Sequence, residues 1–182
     1  WDYVDQSIHT QVNGQDRWLY GGDFGEEISH TYFNANGIVA GDRTLHPSAY
    51  EVKKVYQYIK IEDSDLENGL INITNRHAFT KLDEYMWAFE LLEDGAIIQN
   101  GIIDMPAIEP GQSKDVQVSF EPIQKEEGVM YHLNIYMILK EDRAYEKAGY
   151  IQGMEQLQFI IQGTKVVVED VEIPIRIEDR QL

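Results

Sequence analysis

Two acidic side chains stand together at Glu26-Glu27, and paired carboxyls are the first place to look for acid/base chemistry. Hydrolysis by two carboxyls needs them held face to face across the scissile bond. Neighbouring residues on a loop do not hold that geometry, so Glu26 and Glu27 read as a solvated acidic turn. The five histidines, His9, His30, His46, His77 and His132, show no i, i+4 pair and no HExxH pattern. No nucleophile elbow, phosphate loop or dinucleotide fingerprint occurs. With no cysteine there is neither a disulfide nor thiolate chemistry, and the redox compartment stays open. What the chain does offer is recognition chemistry. Trp18, Tyr20, Phe24, Tyr32 and Phe33 crowd into residues 1–45 among the turn signals Asn13-Gly14, Gly21-Gly22, Asn36-Gly37 and Gly41-Asp42. A loop-rich stretch of that length is usually functional or disordered, and its aromatics favour an ordered, functional one.

The elements that must position this loop follow it. His46-Pro47 opens a helix, with Pro47 suited to the first helical position. Val52, Val55, Tyr56 and Ile59 form one apolar stripe at helical spacing, which predicts a helix from Pro47 to about Ile59. From about Ile61 the period changes to two. Ile71 and Ile73, then Tyr85, Trp87, Phe89 and Leu91, alternate with more polar neighbours, and Asp94-Gly95 supplies a hairpin turn. Val116, Val118 and Phe120 follow the Pro110-Gly111 turn, and Tyr131 to Leu139 forms the longest alternating face. Further strands are predicted at Gln156–Gln162, Val166–Val168 and Val171–Ile177, the last an edge strand because of Pro174. About seven short strands with regular turns read as an antiparallel β-sandwich of immunoglobulin type.

Composition narrows the partners. A chain of 182 residues with 43% hydrophobic residues has ample material for a core, and fits one large domain or one domain with an appendage. A net charge of -17 argues against nucleic acid and against anionic membrane surfaces, both of which need clustered Lys and Arg. No apolar run approaches the roughly 20 residues that span a bilayer.

Several rare blocks keep order and spacing across residues 1–57: Trp1-Asp2-Tyr3-Val4-Asp5-Gln6, Tyr20-Gly21-Gly22-Asp23-Phe24-Gly25, Asn36-Gly37-Ile38-Val39, Asp42-Arg43-Thr44, His46-Pro47 and Glu51-Val52-Lys53-Lys54-Val55-Tyr56-Gln57. In these the chain resembles the end of the catalytic barrel of large bacterial β-galactosidases of glycoside hydrolase family 2. Asn75, Leu82, Tyr85, Trp87, Leu91, Asp94-Gly95, Pro110-Gly111, Tyr131 to Ile135 and Glu155-Gln156 are similar to the immunoglobulin-like domain that follows that barrel. The resemblance implies that Trp1–Asp5 ends the eighth barrel strand, that residues 6–45 form the loop leaving its C-terminal edge, and that the helix at Pro47 is the eighth barrel helix. Active sites of such barrels are built from loops on that face. Trp1 is then expected to form an apolar wall against the galactose. Asn36 is expected to hold the sugar's 6-hydroxyl and a sodium ion, and Phe33 to offer its backbone carbonyl to the same ion. Amide and carbonyl oxygens suit a hard cation of this kind. The ion's remaining protein ligand, an Asp, and both catalytic carboxyls fall upstream of Trp1, so no catalytic residue is expected inside the chain. Magnesium is a further cofactor open to the intact parent, with no ligands identified here. The chain departs from the family pattern at Tyr3, Ile28-Ser29-His30, Asn34 and Leu45.

The expected fold class is therefore mainly β: an immunoglobulin-like antiparallel sandwich over residues 60–163, preceded over residues 1–59 by the last strand, long loop and helix of a TIM (β/α)8 barrel. Residues 164–182 read as a strand or linker toward a further domain. The expected function is that of a fragment of a retaining β-galactosidase. It would supply part of the sugar-pocket wall and a structural sandwich, have the rest of the parent enzyme as partner, and be inactive by itself. The competing reading is a non-catalytic immunoglobulin-like module that binds carbohydrate or other domains. Apolar residues that would have packed on missing barrel elements also predict self-association of the isolated chain, or disorder of residues 1–45.

Overall fold

In a computed structural model, which describes residues 2–28 and 35–160, strands dominate. The first two, β1 (Ile8–Val12) and β2 (Gln15–Leu19), form an antiparallel hairpin. Its turn is Asn13-Gly14, with both residues at positive φ (54° and 75°), as a tight two-residue turn demands. Sequence reasoning took this stretch as loop. The turn signal was legible, but the flanking segments IHTQV and QDRWL carry little apolar alternation because neither face is buried in a core.

Helix α1 spans Pro47–Val55 and ends sooner than its apolar stripe suggests. Tyr56 caps it, and Ile59 opens β3 (Ile59–Asp65), where it is fully buried. The stripe thus joins two periodicities. Val52 and Val55 belong to the helix, whereas Ile59 and Ile61 are β-branched residues that gain more by facing the sandwich core than by extending a short helix.

The remaining strands are β4 (Leu70–Asn75), β5 (Tyr85–Glu93), β6 (Ala96–Ile103), β7 (Ser113–Gln117), β8 (Tyr131–Leu139) and β9 (Ile151–Gln158). They form a three-stranded sheet, β3-β4-β7, and a four-stranded sheet, β6-β5-β8-β9, with every neighbouring pair antiparallel. The chain passes between the sheets three times, after β4, β6 and β7. This is the expected sandwich, with its sheets open rather than closed into a barrel. Two strands are displaced from their predicted positions: the one after Pro110-Gly111 starts and ends earlier, and the last described one begins at Ile151 rather than Gln156. Val118 leaves the ladder yet stays buried, so its alternation reported burial and not pairing. The strands predicted at Val166–Val168 and Val171–Ile177 lie outside the described residues.

Inward-facing residues of both sheets make one core. Ile59, Ile61, Ile71, Ile73 and Val116 meet Tyr85, Trp87, Phe89, Leu91, Leu133, Ile135, Met137 and Leu139. Trp87 is 1% exposed, and its indole N–H donates to the Leu82 carbonyl at 2.9 Å. Where β9 crosses β3 at the corner of the sandwich, a Cβ on Gly153 would stand 2.9 Å from Ile59 Cδ1, so glycine lets the two sheets close.

Helix α1 docks on the free edge of β9. Lys53 and Lys54 donate through Nζ to the carbonyls of Ile151 and Met154, both at 2.6 Å. The Met154 N–H donates to Gln57 Oε1 at 3.1 Å, and Lys54 pairs with Glu155 at 2.8 Å. Side chains of the barrel segment thereby satisfy backbone groups that an open sheet edge would leave exposed to wrong partners. The outer face of the helix end stays bare, with Val55 70% and Tyr56 73% exposed.

One buried amide organises the end of the sandwich next to this junction. Asn75 donates through Nδ2 to the carbonyls of Thr80 and Ile108, both at 2.8 Å, and its Oδ1 accepts the His77 N–H at 2.9 Å. Asn75→Ala would take away the partners of the Thr80 carbonyl and the His77 N–H and leave the Ile108 carbonyl only the Leu82 N–H at 3.3 Å, and is expected to lower stability by about 2–3 kcal/mol. Urea denaturation should show a lower midpoint with an unchanged slope.

Candidate functional site

The loop that sequence reasoning singled out is organised by the extended segment Asp2–Ser7. Val4 bridges Val39 in parallel, and Val39 bridges Leu45. Asp5 N–H donates to the Val39 carbonyl at 2.8 Å, and the N–H groups of Ile38 and Val39 both reach the Tyr3 carbonyl, at 3.0 and 3.1 Å. The contact is so close that a Cβ on Gly37 would lie 2.6 Å from the Asp5 nitrogen. Only glycine fits there.

Asp5 locks this arrangement. Its side chain is 9% exposed; Oδ1 accepts the Gly37 N–H at 2.8 Å, and Oδ2 lies 2.8 Å from His46 Nε2. The hydrogen bond from His46, joined by the Gly37 N–H, holds the carboxyl below the usual carboxylate range. His46 sits at the N-cap of α1, and its own N–H donates to the Ile38 carbonyl at 3.1 Å. One carboxylate therefore ties the strand end, the returning loop and the start of the helix. Sequence reasoning gave Asp5 and His46 no role, because 41 residues separate them and no spacing rule connects them.

Among the expected site residues, Asn36 is placed beside the strand end. Its Nδ2 donates to Asp2 Oδ2, and Gln6 Nε2 donates to Asp2 Oδ1 at 2.9 Å. Asp2 thus holds the Asn36 amide by its nitrogen, so its oxygen is not used in that bond. Trp1 and Phe33 lie outside the described residues.

Glu26 is spent on its own turn. Its two oxygens accept the N–H groups of Gly22 at 2.6 Å and Phe24 at 3.1 Å, and these bonds lower its pKa. A carboxyl committed to two backbone N–H groups is poorly suited to donate a proton. Among the described residues no group of three or more His, Asp or Glu side chains is placed to hold a metal ion.

Comparison with known proteins then decides the lineage. The model of the glycosyl hydrolases family 2 TIM barrel domain matches residues 1–61, and that of β-galactosidase domain 4 matches residues 71–159. The chain belongs to glycoside hydrolase family 2. It joins the C-terminal end of that family's barrel to its immunoglobulin-like domain. A β-galactosidase of Vibrio vulnificus strain YJ016 is 32% identical over 161 residues, covering 86% of this chain and 15% of the relative. One from Psychromonas ingrahamii is 31% identical over 185 residues, covering 99% of this chain and 18% of the relative. A third, from Priestia megaterium, is 30% identical over 86% of this chain. The chain spans less than a fifth of the length of the first two.

The Asp5 clasp makes a pH-dependent prediction. A carboxyl whose pKa is depressed on folding stabilises fully above its unfolded value, here the ordinary 3.8, and loses that contribution as pH falls through the lower folded value. Hydrogen exchange corrected for intrinsic rates should show Gly37 and Val39 amides equally protected from pH 7 to 5 and released only below about pH 4. Asp5→Asn should release them at every pH.

Proposed function

We propose that this chain is the part of a retaining β-galactosidase that closes the catalytic barrel, lines one side of its sugar pocket and braces the barrel with a sandwich. The observation that carries the reading is the fixed position of Asn36 beside the end of the barrel-strand segment, within a chain matched by both the barrel and the domain 4 families. The relatives named above are β-galactosidases, which supports terminal β-galactosides as the substrate class. In this reading Trp1 is the apolar wall against the sugar, and Asn36 binds its 6-hydroxyl through the free amide oxygen. The same oxygen, with the Phe33 carbonyl, suits a sodium ion, which would supply a fixed positive charge for orienting the hydroxyl. The two catalytic carboxyls belong to earlier barrel strands, and the remaining domains of the parent are this chain's partners.

A free-standing carbohydrate-binding sandwich is the weaker reading. Trp87, the tryptophan carried by the sandwich strands, is sealed in the core with its N–H occupied, and so presents no platform to a sugar.

Two measurements test the proposal. The isolated 182-residue chain should not turn over a chromogenic β-galactoside, whereas the longer polypeptide carrying it should, with retention of anomeric configuration seen by NMR. In that polypeptide Asn36→Ala should raise KM for galactosides at least about tenfold, the scale of one lost hydrogen bond to a bound hydroxyl. Turnover by the pure isolated chain, abolished by a mutation within it, would overturn the assignment.

A further inference from the structure

Phe79 is an anomaly in this sandwich. It is 94% exposed, on a segment that is held in place rather than free to fold the ring inward. Asn75 grips the Arg76–Lys81 loop from below, at His77 and at Thr80. The Leu82 N–H donates to the Ile108 carbonyl at 3.3 Å, and Lys81 pairs with Glu109 at 2.7 Å. An aromatic ring on a fastened loop contributes nothing to this chain's core, yet is already organised for burial elsewhere.

The loop also leans on the barrel segment. Arg76 N–H donates to the Tyr58 carbonyl at 2.9 Å, and the His77 ring stacks between Tyr58 and Tyr85, with centroids 5.2 and 5.6 Å away. Tyr58, itself exposed, lies just past the end of α1, where Val55 and Tyr56 are bare, so the loop that carries Phe79 is fastened through Arg76 and His77 to an exposed apolar segment of the barrel. Arg76 is exposed and has no ion-pair partner among the described residues. A fixed Phe with an unpaired Arg beside it has the makings of an interface anchor.

We propose that the Arg76–Lys81 loop is a docking peg: Phe79 inserts into an acid-rimmed apolar pocket on the barrel elements that neighbour α1, and Arg76 pairs with the rim. The occupant is the rest of the barrel, because the strip is continuous with α1 and the relatives are several times longer than this chain. A barrel helix runs antiparallel to its strands, so the end of α1 marks the face opposite the catalytic loops. Phe79 is accordingly a positioning residue for the barrel–sandwich joint, remote from the reacting atoms. The inference rests on the proposed function above.

The test compares Phe79→Ser in two settings. In the isolated chain the substitution should leave the urea midpoint unchanged, since the ring touches little there. In the longer polypeptide it should speed irreversible thermal inactivation about tenfold with KM unchanged, and Arg76→Glu should act in the same direction. An inactivation rate equal to wild type would overturn the peg, while turnover by the wild-type polypeptide would still uphold the functional reading. An effect that grows on dilution would place the pocket on another subunit and overturn the barrel as occupant. A wild-type polypeptide without galactosidase turnover would instead overturn the functional reading, and with it the inference.

Discussion

The half-buried carboxylate of Asp5 is the constraint on which the barrel part of this chain depends. Its two oxygens are committed to groups 32 and 41 residues away, the Gly37 N–H and the His46 ring. Between them those partners carry the return of the loop and the first turn of α1. The carboxylate stays ionised because both contacts favour the charged form. The glycine at position 37 is part of the same device, since any side chain would push the loop off the strand. Asn36, one residue earlier, owes its position to this clasp as much as to its own bond with Asp2.

From the clasp the order propagates through α1 to the sandwich. The helix is only nine residues long and buries none of its own side chains, so propensity alone would leave it marginal. It is held instead at both ends: by His46 on Asp5, and by Lys53, Lys54 and Gln57 on the edge of β9. The polar edge contacts satisfy exposed backbone, whereas the sandwich is held by apolar burial between its two sheets. The joint therefore combines a polar seam with a bare apolar strip, a combination suited to a segment that packs against further parts of a larger protein.

Much of this was legible in the sequence wherever one physical periodicity governed. Tyr131 to Leu139 turns every second side chain into the core, with Asn134 the one further buried residue, and its bounds were read correctly. The Asp94-Gly95 turn was equally plain, and both residues adopt the positive φ it requires. Reading faltered where two determinants overlapped. Ile59 fits the helical stripe of Val52 and Val55, but burial in the core places it in a strand. The β1–β2 hairpin escaped because it lies on the surface and carries no alternating signature beyond its Asn-Gly turn. Asn36 could be named from the resemblance. The carboxylates that position it, Asp2 directly and Asp5 through Gly37, could not, since contacts across 34 and 32 residues have no local signal.

The central claim is that these residues form one wall of a larger catalytic barrel. The most direct measurement is the coding sequence upstream of the Trp1 codon. One strand–helix unit of such a barrel occupies roughly 30 residues, so a β-strand ending in the nucleophilic Glu should lie about that far before Trp1, with the other barrel units before it. A start codon immediately ahead of Trp1 would contradict the account and leave a sandwich protein with no catalytic barrel to complete.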